Sequence, residues 1–192
     1  MPIRVFIDQG HNPYGVNAGA EGFGLREQDI TYLVGVYLAN ILNADYRFTA
    51  ITSRNTPEEI LGYDNNSSLR IRTQMANEWG ADYFFSIHVN ANVNPAINGT
   101  EAYVYSLNSP SYYLGVDIVQ EIVRRLGTKN NGVYARPSLY VLRRTNMPAV
   151  LIELAYISNE DDALLLANEP YQFAYAIYVG LLNYLGYPQI MI

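Results

Sequence analysis

Short apolar runs rich in β-branched and aromatic residues alternate along this chain with longer segments in which apolar residues recur at helical spacing. The runs predict strands. They span residues 3–8, 48–52, 83–89, 101–105, 139–142 and 149–154. The last of these runs is almost entirely apolar and is therefore predicted to lie in the centre of a sheet.

The segments between the strands predict helices, because their apolar residues fall on the i, i+3 and i+4 positions. One such helix covers residues 30–42, and a second ends near Trp79. A third is predicted within residues 109–127, where a serine N-cap is followed by proline and a glycine ends the pattern. The last helix begins near Pro170.

Strands that alternate with helices are typical of an α/β layer fold. We therefore predict three layers, α/β/α, in which a twisted mixed sheet of about six strands is flanked by helices. The 192 residues, 49% of them apolar, are enough to build one well-packed core. Since no linker, repeat or low-complexity tract interrupts the pattern, we expect a single domain over residues 1–192.

Charge and composition exclude several classes of protein. The net charge is −6 and the 12 lysines and arginines are scattered, which argues against nucleic acid as a partner. The sequence has no run of about 18 consecutive apolar residues, so no transmembrane segment is predicted. The absence of cysteine excludes disulfides, thiol catalysis and thiolate metal ligands. Residues 1–8 resemble a core strand more than a signal peptide, so a signal was trimmed or export takes another route.

The only two histidines of the chain each stand where a predicted strand gives way to a loop. His11 follows the first strand, and His88 lies within residues 86–90. Strand ends are where α/β folds place their sites, and neutral imidazole is the commonest zinc ligand. A catalytic zinc usually takes three protein ligands, and Glu27, at the start of the first helix, is the leading candidate for the third. The alternative is that Glu27 is only a first-turn acid.

Glu153 is the second acid of interest, because it interrupts the apolar run at residues 149–154. Burying a lone carboxylate costs several kcal/mol unless it is paired, hydrogen-bonded or kept neutral. Catalysis would explain its presence, since burial raises the pKa of a carboxyl toward the value that a general base needs. The alternative is a glutamate at a strand terminus that reaches solvent.

These four residues stand in segments that resemble the family 3 N-acetylmuramoyl-L-alanine amidases, in order and over essentially the whole chain. The matching segments are residues 7–11, 24–29, 69–91 and 147–159. Glu101 and Arg143 lie in two further segments that resemble the family's, without a definite role. One departure is Asn12-Pro13, where the family usually has glycines. Proline fixes the local backbone, so we expect the mouth of the site to be shaped differently.

The resemblance implies a zinc-dependent hydrolase with a phosphorylase/hydrolase-like fold. His11, Glu27 and His88 would hold Zn²⁺, and Glu153 would be the catalytic general base and acid. The substrate would be peptidoglycan or a muropeptide, cut between N-acetylmuramic acid and L-alanine by a metal-activated water. Two alternatives stay open: a zinc peptidase or carboxypeptidase on a related scaffold, and a wall-binding module that has lost catalysis.

The same resemblance leads to expectations about partners and location. We expect a monomer that acts extracellularly, in the cell wall or in the periplasm, as a secreted autolysin or by phage-type or spore-associated release. The target is left open among vegetative wall, spore cortex and the wall of a phage host. Stem-peptide specificity and the need for an activating protein are left open as well.

Overall fold

In the computed structural model, which describes residues 1–190, the chain forms eight strands and six helices. The strands are β1 (Ile3–Gln9), β2 (Glu21–Gly22), β3 (Leu25–Arg26), β4 (Phe48–Thr52), β5 (Tyr83–Asn90), β6 (Thr100–Val104), β7 (Asn130–Ala135) and β8 (Ala149–Tyr156). The helices are α1 (Glu27–Ala44), α2 (Asn65–Trp79), α3 (Pro110–Leu126), α4 (Tyr140–Arg144), α5 (Glu160–Asn168) and α6 (Pro170–Leu185).

Six of the strands form one mixed sheet in the order β4-β1-β5-β8-β6-β7. The four strands from β4 to β8 in this order run parallel, β6 runs antiparallel to β8, and β7 runs parallel to β6. The strand predicted to be central, β8, lies between β5 and β6. The carboxyl ends of β1, β5 and β8 therefore meet at one edge of the sheet, which is where open α/β sheets carry their sites.

Helices cover both faces of this sheet. On one face, here called the packing face, apolar residues of α1, α3 and α6 join those of the strands in the larger hydrophobic cluster. The opposite face, here called the site face, is covered by α2 and α4 over a smaller cluster. Successive strand residues point to opposite faces, so in β1 Val5 and Ile7 join the packing face and Phe6 joins the site face. The predicted three-layer α/β/α arrangement is confirmed.

The helix ends follow the local sequence. The Ser109 side chain accepts a hydrogen bond from the Tyr112 backbone N–H at the start of α3, and Gly127 ends that helix in the left-handed region with φ 73°. In α2 the Asp64 side chain accepts from Ser67 N–H in a capping box. None of the helices within residues 1–190 has the length and apolar character needed to cross a bilayer.

Besides the short strands β2 and β3, which were not predicted, two elements correct the sequence-based prediction of the main sheet. Residues 139–142, predicted as a strand, belong to the short helix α4, with Leu139 as its N-cap. A run of four apolar residues is too short to distinguish a period of two from one of 3.6. The strand β7 has no counterpart among the predicted strands, because it lies at the sheet edge and begins with Asn130-Asn131-Gly132, residues that are unfavourable in strands.

Candidate metal centre

Both histidines and Glu27 meet at the carboxyl edge of the sheet. His11 follows β1, His88 lies near the end of β5, and Glu27 is the first residue of α1. One nitrogen of each imidazole and one carboxylate oxygen all lie within 4.8 Å of one another. Glu27 Oε1 is 3.1 Å from His11 Nε2 and 3.2 Å from His88 Nδ1. Two imidazole nitrogens and one carboxylate oxygen are a donor set that suits zinc.

Hydrogen bonds on the far side of each ring assign its tautomer. His11 Nδ1 lies 3.1 Å from the carbonyl oxygen of Asn17 and donates to it, which leaves the Nε2 lone pair directed at Glu27. His88 Nε2 lies 3.2 Å from Ser86 Oγ. Because the Ser86 hydroxyl donates its proton elsewhere, His88 Nε2 must be the donor in this contact, and its Nδ1 lone pair is directed at Glu27.

The Ser86 hydroxyl donates to Asp8 Oδ2 at 2.8 Å, and Asp8 in turn forms a buried ion pair with Arg72. Arg72 Nη1 lies 2.7 Å from Asp8 Oδ1, and both side chains are almost fully inaccessible to solvent. Burial alone would raise the pKa of Asp8, but the Arg72 charge and hydrogen bond, with smaller effects of His88 and Ser86, hold that pKa below its usual value. Asp8 is therefore an ionised acceptor beneath His88.

Glu27 is held by the backbone as well as by the histidines. Its Oε1 accepts from Val89 N–H at 2.9 Å, and its Oε2 accepts from Ala20 N–H at 2.9 Å. Burial opposes ionisation, yet the close contacts with the imidazoles of His11 and His88 lower the pKa of Glu27 well below its ordinary value. The side chain is 5% exposed. It is thus a fixed carboxylate and not a solvated first-turn acid.

Gly10 permits the close approach of His88 to the first strand. A Cβ atom at this position would lie 2.5 Å from the carbonyl oxygen of Ile87 and 2.7 Å from His88 Cε1. Both distances are shorter than van der Waals contact, so any side chain here would displace the imidazole. Gly10, although it precedes His11 in the sequence, therefore leaves the space that the His88 imidazole occupies.

Glu153 lies beside His88, with which it is paired in the parallel register of β5 and β8. Residues paired in this way point to the same face of a sheet. The Glu153 side chain is partly exposed, but its Oε2 atom is buried without a hydrogen-bond partner among the described residues. Burial, followed by the negative charges of Glu27 and Glu101, raises the pKa of Glu153 well above its usual value.

Glu101 is the antiparallel partner of Glu153 on β6, so the structure brings it to the site. Its Oε1 accepts from Asn90 Nδ2 at 2.7 Å and from the Tyr103 and Tyr156 hydroxyls at 2.6 and 3.2 Å. Burial and the Glu101 carboxylate raise the pKa of Tyr156 to about 12, which keeps this phenol a donor. Glu101 is therefore a buried carboxylate that accepts three hydrogen bonds, next to a Glu153 carboxyl whose Oε2 accepts none from the described residues.

Four further residues differ in what the sequence indicated about them and where the structure places them. Arg143 is exposed on α4 and borders a surface cavity at Pro148 and Ala149, the opposite end of β8 from the histidines. Asn12 is buried and joins the His11 loop to Leu61 by two hydrogen bonds of 3.0 Å. Asp8 and Ser86 received no role from the sequence. The available signal was the presence of a polar residue inside an apolar strand.

The chain is similar to known amidases in sequence. A family model described as N-acetylmuramoyl-L-alanine amidase matches residues 5–183. The N-acetylmuramoyl-L-alanine amidase CwlM of Bacillus licheniformis is 33% identical over 162 residues, which are 84% of this chain and 59% of that protein. The chain thus spans about three fifths of the length of this curated relative.

Solved structures are similar in fold over almost the whole chain. The N-acetylmuramoyl-L-alanine amidase from Clostridium difficile 630 has a TM-score of 0.85 at 30% identity, covering 96% of this chain and 97% of that one. The CwlD amidase from Clostridioides difficile, solved in complex with the GerS lipoprotein, has a TM-score of 0.86 at 28% identity, covering 96% and 98%. Since the family model matches far more than half of its residues, this chain belongs to the N-acetylmuramoyl-L-alanine amidase family.

Proposed function

We propose that this chain hydrolyses the amide bond between N-acetylmuramic acid and L-alanine in peptidoglycan, with zinc held by His11, Glu27 and His88 and with Glu153 as the proton carrier. Family membership supports the reaction. The observation that carries the residue roles is the convergence of three ligand atoms within 4.8 Å, beside a buried carboxylate oxygen that has no protein partner within residues 1–190.

The protein groups fit a zinc ion in number and chemistry. Each imidazole directs one lone pair at Glu27 Oε1, and each is kept in that tautomer by a hydrogen bond on its other nitrogen. Zinc held by three protein ligands supplies Lewis acidity, which polarises a substrate carbonyl and lowers the pKa of a bound water to about 7. The remaining steps fall to the side chains around it.

Glu153 would take a proton from the attacking water on Oε2 and deliver it to the departing amine of L-alanine. Its buried position makes the carboxylate a stronger base than an exposed glutamate, because few groups stabilise its charge. Glu101 would hold Tyr103 and Tyr156 close to this carboxylate without serving as a proton carrier, since its Oε1 already accepts three hydrogen bonds. One carboxylate therefore suffices for both proton transfers.

The net charge of −6 gives no electrostatic attraction toward an anionic wall polymer, so substrate would be held by specific contacts. We propose that the enzyme acts as a monomer at the cell wall, outside the cell membrane, as a secreted autolysin or a related lytic enzyme. One solved relative forms a complex with a lipoprotein, and we keep an activating protein as part of the proposal. Turnover by the purified chain alone would remove the need for such an activator.

The product distinguishes this reaction from its alternatives. The purified chain, reconstituted with zinc, is incubated with a defined muropeptide, and the products are identified by mass spectrometry. An amidase releases the intact stem peptide from the sugar, whereas a carboxypeptidase releases a terminal amino acid and a wall-binding module releases nothing. Chelation should abolish the release, and added zinc should restore it.

Two substitutions separate proton transfer from metal binding. Glu153→Gln should lower turnover by about 10²- to 10⁴-fold while zinc content by elemental analysis stays at the wild-type value. His88→Ala should instead reduce the bound zinc. Glu58→Gln, at an exposed position in the loop after β4, is the matched control and should leave both unchanged. Normal turnover by Glu153→Gln would remove Glu153 from the mechanism.

A further inference from the structure

We propose that Arg72 is a positioning residue whose single guanidinium holds both histidines of the metal centre in place through two separate branches of hydrogen bonds. The proposal rests on the proposed function, because it takes His11 and His88 as metal ligands. Arg72 lies on α2, 61 residues from His11 in the sequence, and is 1% exposed. Its ion-pair partner, Asp8, lies on β1 and not on that helix.

The first branch holds the loop that carries His11. Arg72 Nη1 donates to the carbonyl of Gln9 at 2.6 Å, and Nη2 donates to the carbonyl of His11 at 2.6 Å and to Asn12 Oδ1 at 3.1 Å. His11 has φ 70°, in the left-handed region that residues with a Cβ atom rarely adopt. A backbone in this conformation persists only where its surroundings impose it. Three bonds from one rigid group impose it here.

The second branch runs through side chains to His88. Arg72 Nη1 donates to Asp8 Oδ1 at 2.7 Å, Ser86 Oγ donates to Asp8 Oδ2 at 2.8 Å, and His88 Nε2 donates to Ser86 Oγ at 3.2 Å. Every group from Arg72 to Ser86 is buried. With Nε2 committed as a donor, His88 can present only Nδ1 to Glu27. The branch therefore sets both the orientation and the tautomer of this ring.

The geometry requires arginine in particular. The planar guanidinium presents five donors in a fixed fork, whereas a lysine ammonium is a compact charge on a flexible stem. Arg72 uses both terminal nitrogens on the two branches, and its Nε donates to Ser68 Oγ at 3.3 Å, which anchors the fork on α2. A lysine at this position would keep the charge but would not reach both branches with the same geometry.

The experiment measures zinc binding directly. The full chain is stripped of metal and titrated with zinc against a chelating dye, and its melting temperature is recorded with and without zinc. Arg72→Met should bind zinc about 10- to 100-fold more weakly, the range expected when the hydrogen-bond partners behind metal ligands are removed. The rise in melting temperature on adding zinc should shrink accordingly. Arg70→Met, at an exposed position two residues away on α2, is the matched control and should retain wild-type affinity.

A merely structural role for Arg72 would give a different result. It would lower the melting temperature equally with and without zinc, so the increment and the affinity would be unchanged. A folded Arg72→Met protein with wild-type zinc affinity therefore overturns the proposal.

Two milder variants decide the question if Arg72→Met does not fold. Ser86→Ala interrupts only the branch to His88, and Arg72→Lys keeps the charge. Both should weaken zinc binding, and wild-type affinity in both would overturn the proposal. Comparison with His88→Ala keeps the two proposals apart. If the wild-type chain binds no more zinc than His88→Ala, the metal centre itself fails; if only the Arg72 and Ser86 variants match the wild type, the positioning role alone fails.

Discussion

The two faces of the central sheet bury different types of side chain. On the packing face, α1, α3 and α6 bury large apolar side chains such as Leu38, Ile118 and Phe173 completely. On the site face, α2 and α4 cover a smaller apolar cluster, and toward the carboxyl edge of the strands that cluster gives way to buried polar groups, including Asp8 and Arg72. The packing face thus consists of aliphatic and aromatic contacts, whereas the site face carries buried charged side chains at the carboxyl edge of the strands.

This difference between the two faces assigns most of the folding stability to the packing face and the candidate metal chemistry to the site face. Burying apolar surface contributes roughly 25 cal/mol per Å² to folding, whereas burying charges requires that each be paired and hydrogen-bonded. The packing face therefore supplies most of the favourable burial, and the site face can hold a charged pair and a carboxylate oxygen that has no hydrogen-bond partner among residues 1–190. Substitutions on the two faces should consequently change different observables.

Phe173→Ala tests the packing face and should have the largest effect on folding. The side chain is fully buried on α6, and its removal should lower the free energy of unfolding by about 3–5 kcal/mol, measured by urea denaturation. The folded fraction should bind zinc with wild-type affinity. Gln172→Ala, exposed on the same helix, should change the unfolding free energy by less than about 0.5 kcal/mol. A loss of zinc affinity in folded Phe173→Ala protein would contradict the separation.

The packing face was also the easier one to predict from the sequence. The long helices α1, α3 and α6 show clear apolar periodicity, and β1, β5 and β8 are mostly apolar, so these elements were predicted correctly. The helix α4 was predicted as a strand, because the four apolar residues at 139–142 are too few to distinguish the spacing of a strand from that of a helix. The strand β7 was missed because an edge strand needs no continuous apolar run.

At the site, the sequence located the residues but not their connections. His11, His88 and Glu27 were chosen for their positions at element ends, and the structure brings them together. Their roles, and that of Glu153, stay predictions until they are tested. The pairing of Asp8 with Arg72 was not predictable, because the two residues are 64 positions apart and meet only when α2 packs on β1. Local patterns identify buried polar residues without identifying their partners.

A pair of glycine substitutions sharpens the comparison further. Gly10→Ala on the site face and Gly180→Ala on the packing face both introduce a Cβ atom too close to its neighbours, at 2.7 Å from His88 Cε1 and 2.6 Å from Ile118 Cα. Each should lower the free energy of unfolding by about 1–3 kcal/mol. Only Gly10→Ala should also weaken zinc binding, since it displaces His88. Equal zinc affinity in the two variants would show that His88 adjusts to the added methyl group.

The smallest expected effects are opposite pH dependences of stability in the metal-free protein. Asp45, between α1 and β4, accepts hydrogen bonds from Arg47 and from Tyr178 of α6. Burial opposes ionisation, but the Arg47 hydrogen bonds hold the pKa of Asp45 below its usual value. Its contribution to stability is therefore present above the unfolded pKa of about 3.9 and is lost as pH falls through the lower folded pKa. Asp45→Asn should flatten this acid limb of the stability curve, measured by urea denaturation at a series of pH values.

Glu153 should give the opposite slope. Its folded pKa is raised, first by burial and then by the charges of Glu27 and Glu101, whereas its unfolded pKa is about 4.3. Between the two values the folded chain holds a proton that the unfolded chain has released, so the free energy of unfolding falls as pH rises across this range. Glu153→Gln removes that titration and should make the metal-free protein lose less stability toward alkaline pH, with Glu58→Gln as the control. Parallel curves of unfolding free energy against pH for Glu153→Gln and the wild type would mean that the Glu153 carboxylate is stabilised as an anion. Glu153 would then resemble Asp45, whose charge is stabilised by Arg47.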